Sequence, residues 1–154
     1  MLQPPVCILS ILEEHFEELQ MLWERRLAAL KDPDYRGQDI LELEERIEAH
    51  VDGLVLGDEQ ILPLLEESLG SDDPLVSFAA AYTMLRMRDE KLARKVVEAF
   101  QTAGDEARDG IREALCQGPL KSLQDPLMEA ILSAPAPAAA AAAEILAFHD
   151  KLDA

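Results

Sequence analysis

The residues best able to do chemistry stand close together near the start of the chain. In Glu13-Glu14-His15-Phe16-Glu17-Glu18 an imidazole lies among four carboxylates, and a second imidazole, His50, follows in another acidic stretch. Such groups could hold a metal ion, and carboxylate-bridged centres in helical bundles take a Glu-x-x-His pair from each of two helices. Here the residue three before His15 is Leu12, and the residue three before His50 is Ile47, so that pattern fails at both histidines. His15 and His50 are expected instead to flank a seam between two helices and to hydrogen-bond locally, with no metal and no cofactor. The carboxylates could also act as a general acid–base pair. They are spread along charged helix backs, however, with no neighbour in sequence to shift their proton affinity.

Other chemistry finds less support. The chain has no glycine-rich phosphate loop, no GxSxG, no HExxH and no paired CxxC. Cys7 and Cys116 both sit in apolar contexts and read as reduced thiols, Cys116 as a buried one, with a cytosolic site as the default. Arg86, Arg88, Lys91, Arg94 and Lys95 form the one basic cluster, with Arg88, Lys91 and Lys95 expected on a common helix face. That cluster suits an acidic partner or the acidic part of a second copy. The alternative is an exposed face paired internally with Glu90 and Glu98. Trp23 and Tyr35 are of the types that anchor interfaces. Trp23 fits a core, whereas Tyr35, beside Asp34 and Pro33, fits an exposed loop. Glu45 and Glu48 complete the candidate partner contacts.

Composition narrows the function classes. The formal net charge is −17 over 154 residues, which argues against direct binding of nucleic acid or of an anionic membrane surface. A basic protein partner is compatible with it. Residues 1–70 carry 17 acidic and 5 basic side chains, so most of the excess lies in the first half. Hydrophobic residues make up 49% but aromatics only 5%, a balance that favours helices over sheets. The first fifteen residues, MLQPPVCILSILEEH, lack the basic start of a signal peptide, and no apolar run approaches the roughly 18–20 residues of a membrane span.

Periodicity then places these residues on helices. Leu12, Phe16, Leu19, Trp23 and Leu30 form an apolar stripe backed by Glu13, Glu17, Gln20 and Glu24, which predicts a helix from about Ser10 to Ala29. Asp32-Pro33-Asp34 breaks it. Asp39, with Glu42 three residues on, resembles a capping box and opens a second helix through Ile40, Leu43, Ile47, Val51 and Leu54. The short link implies an antiparallel hairpin with Trp23 near Leu43 and Ile47. A shorter helix is expected from Ile61 to Leu69. Asp73-Pro74 is a strong start signal, and three more starts are read at Asp89, with Leu92, Val96, Val97 and Phe100 as the apolar positions that follow, at Asp105, with Ala107, Ile111, Ala114 and Leu115, and at Asp125-Pro126, with Leu127, Met128, Ile131 and Leu132. Ala80, Thr83 and Met84 fall on Ile111, Ala114 and Leu115 at +31, and these on Ala142, Ile145 and Leu146 at another +31. A period near 30 residues with two short helices each is the mark of an α-solenoid on the short side of the HEAT class. The third unit is incomplete. Its alanine-rich helix, Pro137 to Phe148, is a poor cap, so either the chain is a piece of a longer protein or a partner covers this end. The expected fold is all-α: an acidic hairpin over residues 1–57, then HEAT-like repeats over 58–154, packed as one continuous unit.

The hairpin carries a resemblance. Glu14-His15, Leu22-Trp23 with Arg25 or Arg26, Pro33-Asp34-Tyr35, and Leu43-Glu44 with Arg46, Glu48-Ala49-His50 and Asp52-Gly53-Leu54 resemble a family of bacterial HEAT-like-repeat proteins associated with type VI secretion gene clusters. The match spans about residues 10–57. Family members are longer, so the resemblance places this chain as an N-terminal portion or a short member. It implies an accessory or adaptor protein that handles an effector or a secretion component in the bacterial cytoplasm, and it implies no catalytic residue. An alternative drawn from size and charge is an acidic immunity protein that covers a basic toxin. An enzyme is the third reading, and it would require convergent polar groups that the sequence does not show. The partner expected is therefore a protein, with a homo-oligomer through the open C-terminal end as a further expectation.

Overall fold

The computed structural model describes residues 6–153, with side chains described over residues 9–150 apart from 120 and 122. Cys7 lies outside the described side chains. All regular structure among the described residues is helical: α1 (Val6–Lys31), α2 (Gly37–Leu56), α3 (Leu62–Ser68), α4 (Pro74–Arg86), α5 (Glu90–Thr102), α6 (Asp105–Gln117), α7 (Leu120–Ser133) and α8 (Ala136–Asp153). The all-α expectation holds. The chain divides into two compact units, Met1–Pro63 and Leu64–Ala154.

In the first unit α1 packs against α2. Arg26 meets Glu44 and His15 meets His50, so the helices run antiparallel as expected. Leu12, Phe16, Leu19, Leu22 and Trp23 of α1 are buried, as are Leu43, Ile47, Val51 and Leu54 of α2. Leu30, expected in the stripe, is 53% exposed, and Ala29 is buried in its stead. The reason is not angular, since Leu30 stands seven residues, close to two full turns, from Trp23 and so on the same face; at the last turn of α1 that face lacks a neighbour that would cover it. The cap of α2 also differs from expectation. Asp39 accepts the Arg36 backbone N–H at 2.9 Å and so stands in the first turn rather than at the cap itself.

The second unit is built around α4. Every residue from Ser77 to Leu85 is buried, so this helix has no solvent side over that span. Asp73 caps it as expected, accepting the Leu75 N–H at 2.9 Å, with Pro74 opening the helix. The two buried hydroxyls of α4 are both satisfied. Thr83 donates to the Ala79 carbonyl at 2.8 Å, and Ser77 donates across to the Ala107 carbonyl of α6 at 3.1 Å. α4 packs along α6 and α6 against α8, while α5 packs against α7. Two of the three sets placed in register by the +31 period share a state, whereas in the third Met84 and Leu115 are buried and Leu146 is only partly so. Ala80, Ile111 and Ala142 are buried, and so are Thr83, Ala114 and Ile145.

Of the three later start signals one stands where it was read and two do not. Asp89 caps α5 as expected, accepting the Lys91 N–H at 2.8 Å. Asp105 is the first residue of α6 and Gly104 stands at its cap, a shift of one position. Asp125-Pro126 starts nothing: α7 begins six residues before Pro126, which lies inside the helix. A proline there removes one helical hydrogen bond and normally costs about 3 kcal/mol. The buried stripe of Leu123, Leu127 and Ala130 runs through it and offsets that cost, because each fully buried leucine is worth roughly 1.5–3 kcal/mol. On the other side of α7, Met128 and Leu132, expected as apolar core positions, are 44% and 81% exposed.

The α4–α6 contact sets the strictest local requirement. A Cβ at Gly110 would collide with Ser77 Oγ and with the Pro74 carbonyl, and would lie 2.9 Å from the Phe78 nitrogen. Two of these obstacles are backbone. Gly110→Ala should therefore destabilise the chain by overpacking, by about 1–3 kcal/mol, which lowers the thermal midpoint by roughly 3–10 °C. Gly70→Ala, at a position with open space, should move the midpoint by far less. Thermal unfolding followed by circular dichroism compares the two.

Candidate partner-binding surface and hairpin seam

The two histidines flagged in the sequence meet in the hairpin. His15 Nδ1 and His50 Nδ1 lie 2.8 Å apart, with the ring centroids 5.1 Å apart and the planes at 60°. The His15 ring also sits on the backbone of α2. A Cβ at Gly53 would stand 3.0 Å from His15 Nε2, and one at Gly57 would fall 2.6 Å from a Leu12 methyl. The two glycines thus let α2 approach α1 closely on consecutive turns. Burial first, and the facing His15 second, hold the His50 imidazole below the ordinary histidine range; Glu18 pulls it back up and Arg46 pushes it further down. Among the described residues no three His, Cys, Asp or Glu side chains converge as metal ligands. The expected local hydrogen bonding is present, and its partner is the other imidazole.

Trp23 is 4% exposed, a core residue as expected, and the Arg26 guanidinium lies over its ring at 4.8 Å. The same guanidinium binds Glu44 at 2.9 Å. Arg26 thus covers the tryptophan and ties α1 to α2 with one group. Tyr35 lies in the loop between the helices, 42% exposed, where the sequence placed it.

The basic cluster does not form one surface. Arg94 binds Glu129 of α7 at 2.6 Å and Glu90 at 3.4 Å; Glu129 raises its pKa, and Arg94 in turn lowers that of Glu129. Lys95 binds Glu66 of α3 at 2.8 Å, which raises its pKa. These pairs are exposed and screened, so they register neighbouring helices more than they stabilise them. Arg86 lies beside Tyr82, 5.9 Å from its ring centroid. Arg88 is not on a helix at all. It occupies the α4–α5 connection at φ 57°, and with Glu90, Pro119, Lys121 and Asp125 it lines an open cleft of about 480 Å³. Of the five, Lys91 alone is an exposed helical cation with neither a salt bridge nor a side-chain hydrogen bond to another described residue. The intramolecular reading therefore accounts for Arg94 and Lys95, with Glu129 and Glu66 taking the place expected of Glu98.

The outward face of α2 is more coherent. Leu41, Glu45, Glu48, Asp52 and Leu56 follow at spacings of four, three, four and four, and so form one stripe opposite the buried Leu43–Ile47–Val51–Leu54 side. Leu41 is 54% exposed and Leu56 is 85% exposed, one near each end. Leu41, Glu44, Glu45, Glu48, Ala49 and Asp52 line a shallow hollow of about 440 Å³. Glu45 and Glu48 were singled out in the sequence; Leu41 and Leu56 were not. Their signal was present, since both fall a whole number of turns from those carboxylates, but the hydrophobic count had been spent on the core stripe.

No family model matches the chain, and no curated protein or solved structure shows detectable similarity to it. No helix among the described residues is long and apolar enough to cross a membrane.

Cys116, expected to be buried, is only partly so. Burial pushes its pKa up to about 11, Glu113 acts in the same direction and Arg112 against it. At pH 8 roughly one molecule in a thousand then carries the reactive thiolate. In a Cys7→Ser variant, Cys116 should react with a disulfide reagent at pH 8 at least tenfold more slowly than free cysteine. A rate equal to that of free cysteine would contradict the raised pKa.

Proposed function

We propose that this chain is a non-catalytic protein-binding module that serves as an accessory or adaptor protein in bacterial type VI secretion and holds an effector or a secretion component. The observation that carries the binding role is the outward face of α2, where exposed leucines near either end bracket a row of carboxylates. Over the fifteen steps from Leu41 to Leu56 the stripe is about 22 Å long. A surface of that length and charge suits a basic amphipathic segment, whose apolar side chains take the leucines and whose cations take the acids. Tyr35 stands in the loop that leads into this helix and extends the face with an aromatic anchor. The packing of each helix in α4–α8 on the helix two places further on supports a HEAT-like repeat as the scaffold. The secretion context rests on the resemblance of residues 10–57.

A second reading uses the same face. An acidic immunity protein would present such a stripe to a basic toxin and gain association rate from it. The two readings separate on partner and phenotype, because an immunity protein protects cells that express its toxin and an adaptor does not.

Co-expression of the tagged chain with the products of its neighbouring genes tests the binding role. One of them should co-purify, and Glu45→Lys with Glu48→Lys should weaken its binding at least tenfold while leaving the circular dichroism spectrum intact. Leu56→Asp should weaken it through the apolar end. Equal capture by the wild type and these variants would overturn the assignment to α2.

A further inference from the structure

The His15–His50 contact has a chemical property that neither histidine has alone. A hydrogen bond between two Nδ1 atoms 2.8 Å apart needs a proton on one nitrogen and a lone pair on the other. Two neutral rings of opposite tautomer satisfy this, and so does one imidazolium facing one imidazole. Two imidazolium rings do not: the acceptor is gone, and two positive charges face each other across the seam.

We propose that the His15–His50 pair is an acid-sensitive latch, holding the α1–α2 hairpin closed while one Nδ1 carries a proton and the other does not, and loosening it once both rings are charged. The latch concerns the seam itself and is independent of what the outward face of α2 binds.

The surroundings make the pair sensitive. Each ring comes from a different helix, so repulsion between them acts directly on the separation of α1 and α2. The His15 ring has no slack on its far side, where it rests on the α2 backbone at Gly53. A glycine inside a helix is destabilising relative to alanine, and a Cβ at this one would crowd the imidazole at 3.0–3.4 Å. The charged groups that act on His50 come from both helices: Glu18 and His15 on α1, Arg46 on α2. Glu18 favours a charged ring, whereas Arg46, His15 and burial favour a neutral one, and the balance lowers the affinity of His50 for its proton. The sign follows. With its folded pKa below the ordinary value of about 6.5, the neutral ring stabilises the fold above that pH, and the stabilisation is lost as the pH falls below it. His149 is apart from this device. It is buried in the other unit, and its Nε2 donates to the Leu115 carbonyl at 2.8 Å.

The test uses the full chain between pH 7.5 and 5.5, where most carboxylates remain ionised. Nitrogen-15 NMR of the histidine rings should find, at pH 7.5, one of His15 and His50 protonated on Nδ1 and the other not. Denaturant unfolding followed by the fluorescence of Trp23, the only tryptophan, should show the unfolding constant rising several-fold from pH 7.5 to 5.5, with about tenfold as the ceiling for one histidine. In His50→Gln, which cannot be charged, the rise should be at least twofold smaller than in the wild type. Two Nε2–H tautomers at pH 7.5, or an equal pH dependence in the wild type and in His50→Gln, would overturn the latch. Should His50→Gln fail to fold, the tautomers of the wild-type rings still decide.

Discussion

Residues 77–85 of α4 leave water together, and the helices around them must supply both the apolar surface and the hydrogen bonds that this burial demands. Alanine makes the arrangement possible. Ala79, Ala80 and Ala81 let neighbouring helices approach, and the closest approach falls at Gly110 of α6. There the two helices are near enough for the Ser77 hydroxyl to reach the Ala107 carbonyl. Close packing and polar satisfaction are the same contact. A larger residue at Gly110 would lose both, since it would separate the helices and leave the Ser77 hydroxyl only the longer bond, 3.3 Å, to the Pro74 carbonyl of its own helix.

The helix ends of the same unit repeat this economy. Arg108 of α6 donates to the carbonyls of Phe100 and Ala103 at 3.2 and 2.9 Å and so satisfies acceptors at the end of α5. His149 does the same for Leu115 near the end of α6, and it pins the far end of α8 there. The C-terminal segment looked in sequence like an unprotected remainder after an alanine-rich helix. It is helical through Asp153, and its one buried polar residue is spent on an orphan carbonyl.

The legible parts of the sequence were those in which one local rule decides the outcome. Asp73-Pro74 reads as a helix start because a cap and a fixed φ act within four residues, and the structure agrees. Asp125-Pro126 offers the same letters, but Leu123 upstream is fully buried and draws the helix back past the proline. Tertiary burial outweighs local preference there, and no window of a few residues shows it. Periodicity found the stripes of α2, α5 and α6 almost residue for residue. It misplaced Leu30, Met128 and Leu132, because hydrophobicity says that a residue prefers burial and not that a neighbour exists to bury it. The histidine pair was half legible. Two imidazoles beside one seam follow from the helix pattern, whereas their contact depends on a register set by Gly53 and Gly57, thirty-five residues and more from His15.

The distribution of charge explains why the acidic face of α2 and not the basic cluster is the better candidate surface. A cation cluster in sequence becomes a cation surface only if the fold leaves it unneutralised. In a chain with 31 acids and 14 bases, carboxylates are available wherever a base emerges. Arg94 and Lys95 find Glu129 and Glu66 on adjacent helices, and Arg26 and Arg112 find Glu44 and Glu144 in the same way. Acids meet the opposite condition. With fewer than half as many bases to share, most carboxylates must stay solvated, and a helix face that collects them keeps an unspent potential. Glu45 and Asp52 lie on such a face, between leucines that the core did not take. Scattered exposed leucines need no explanation. Leucines placed near both ends of a carboxylate row, in register with it on one helix, define a surface whose complement is cationic and apolar at the same spacing.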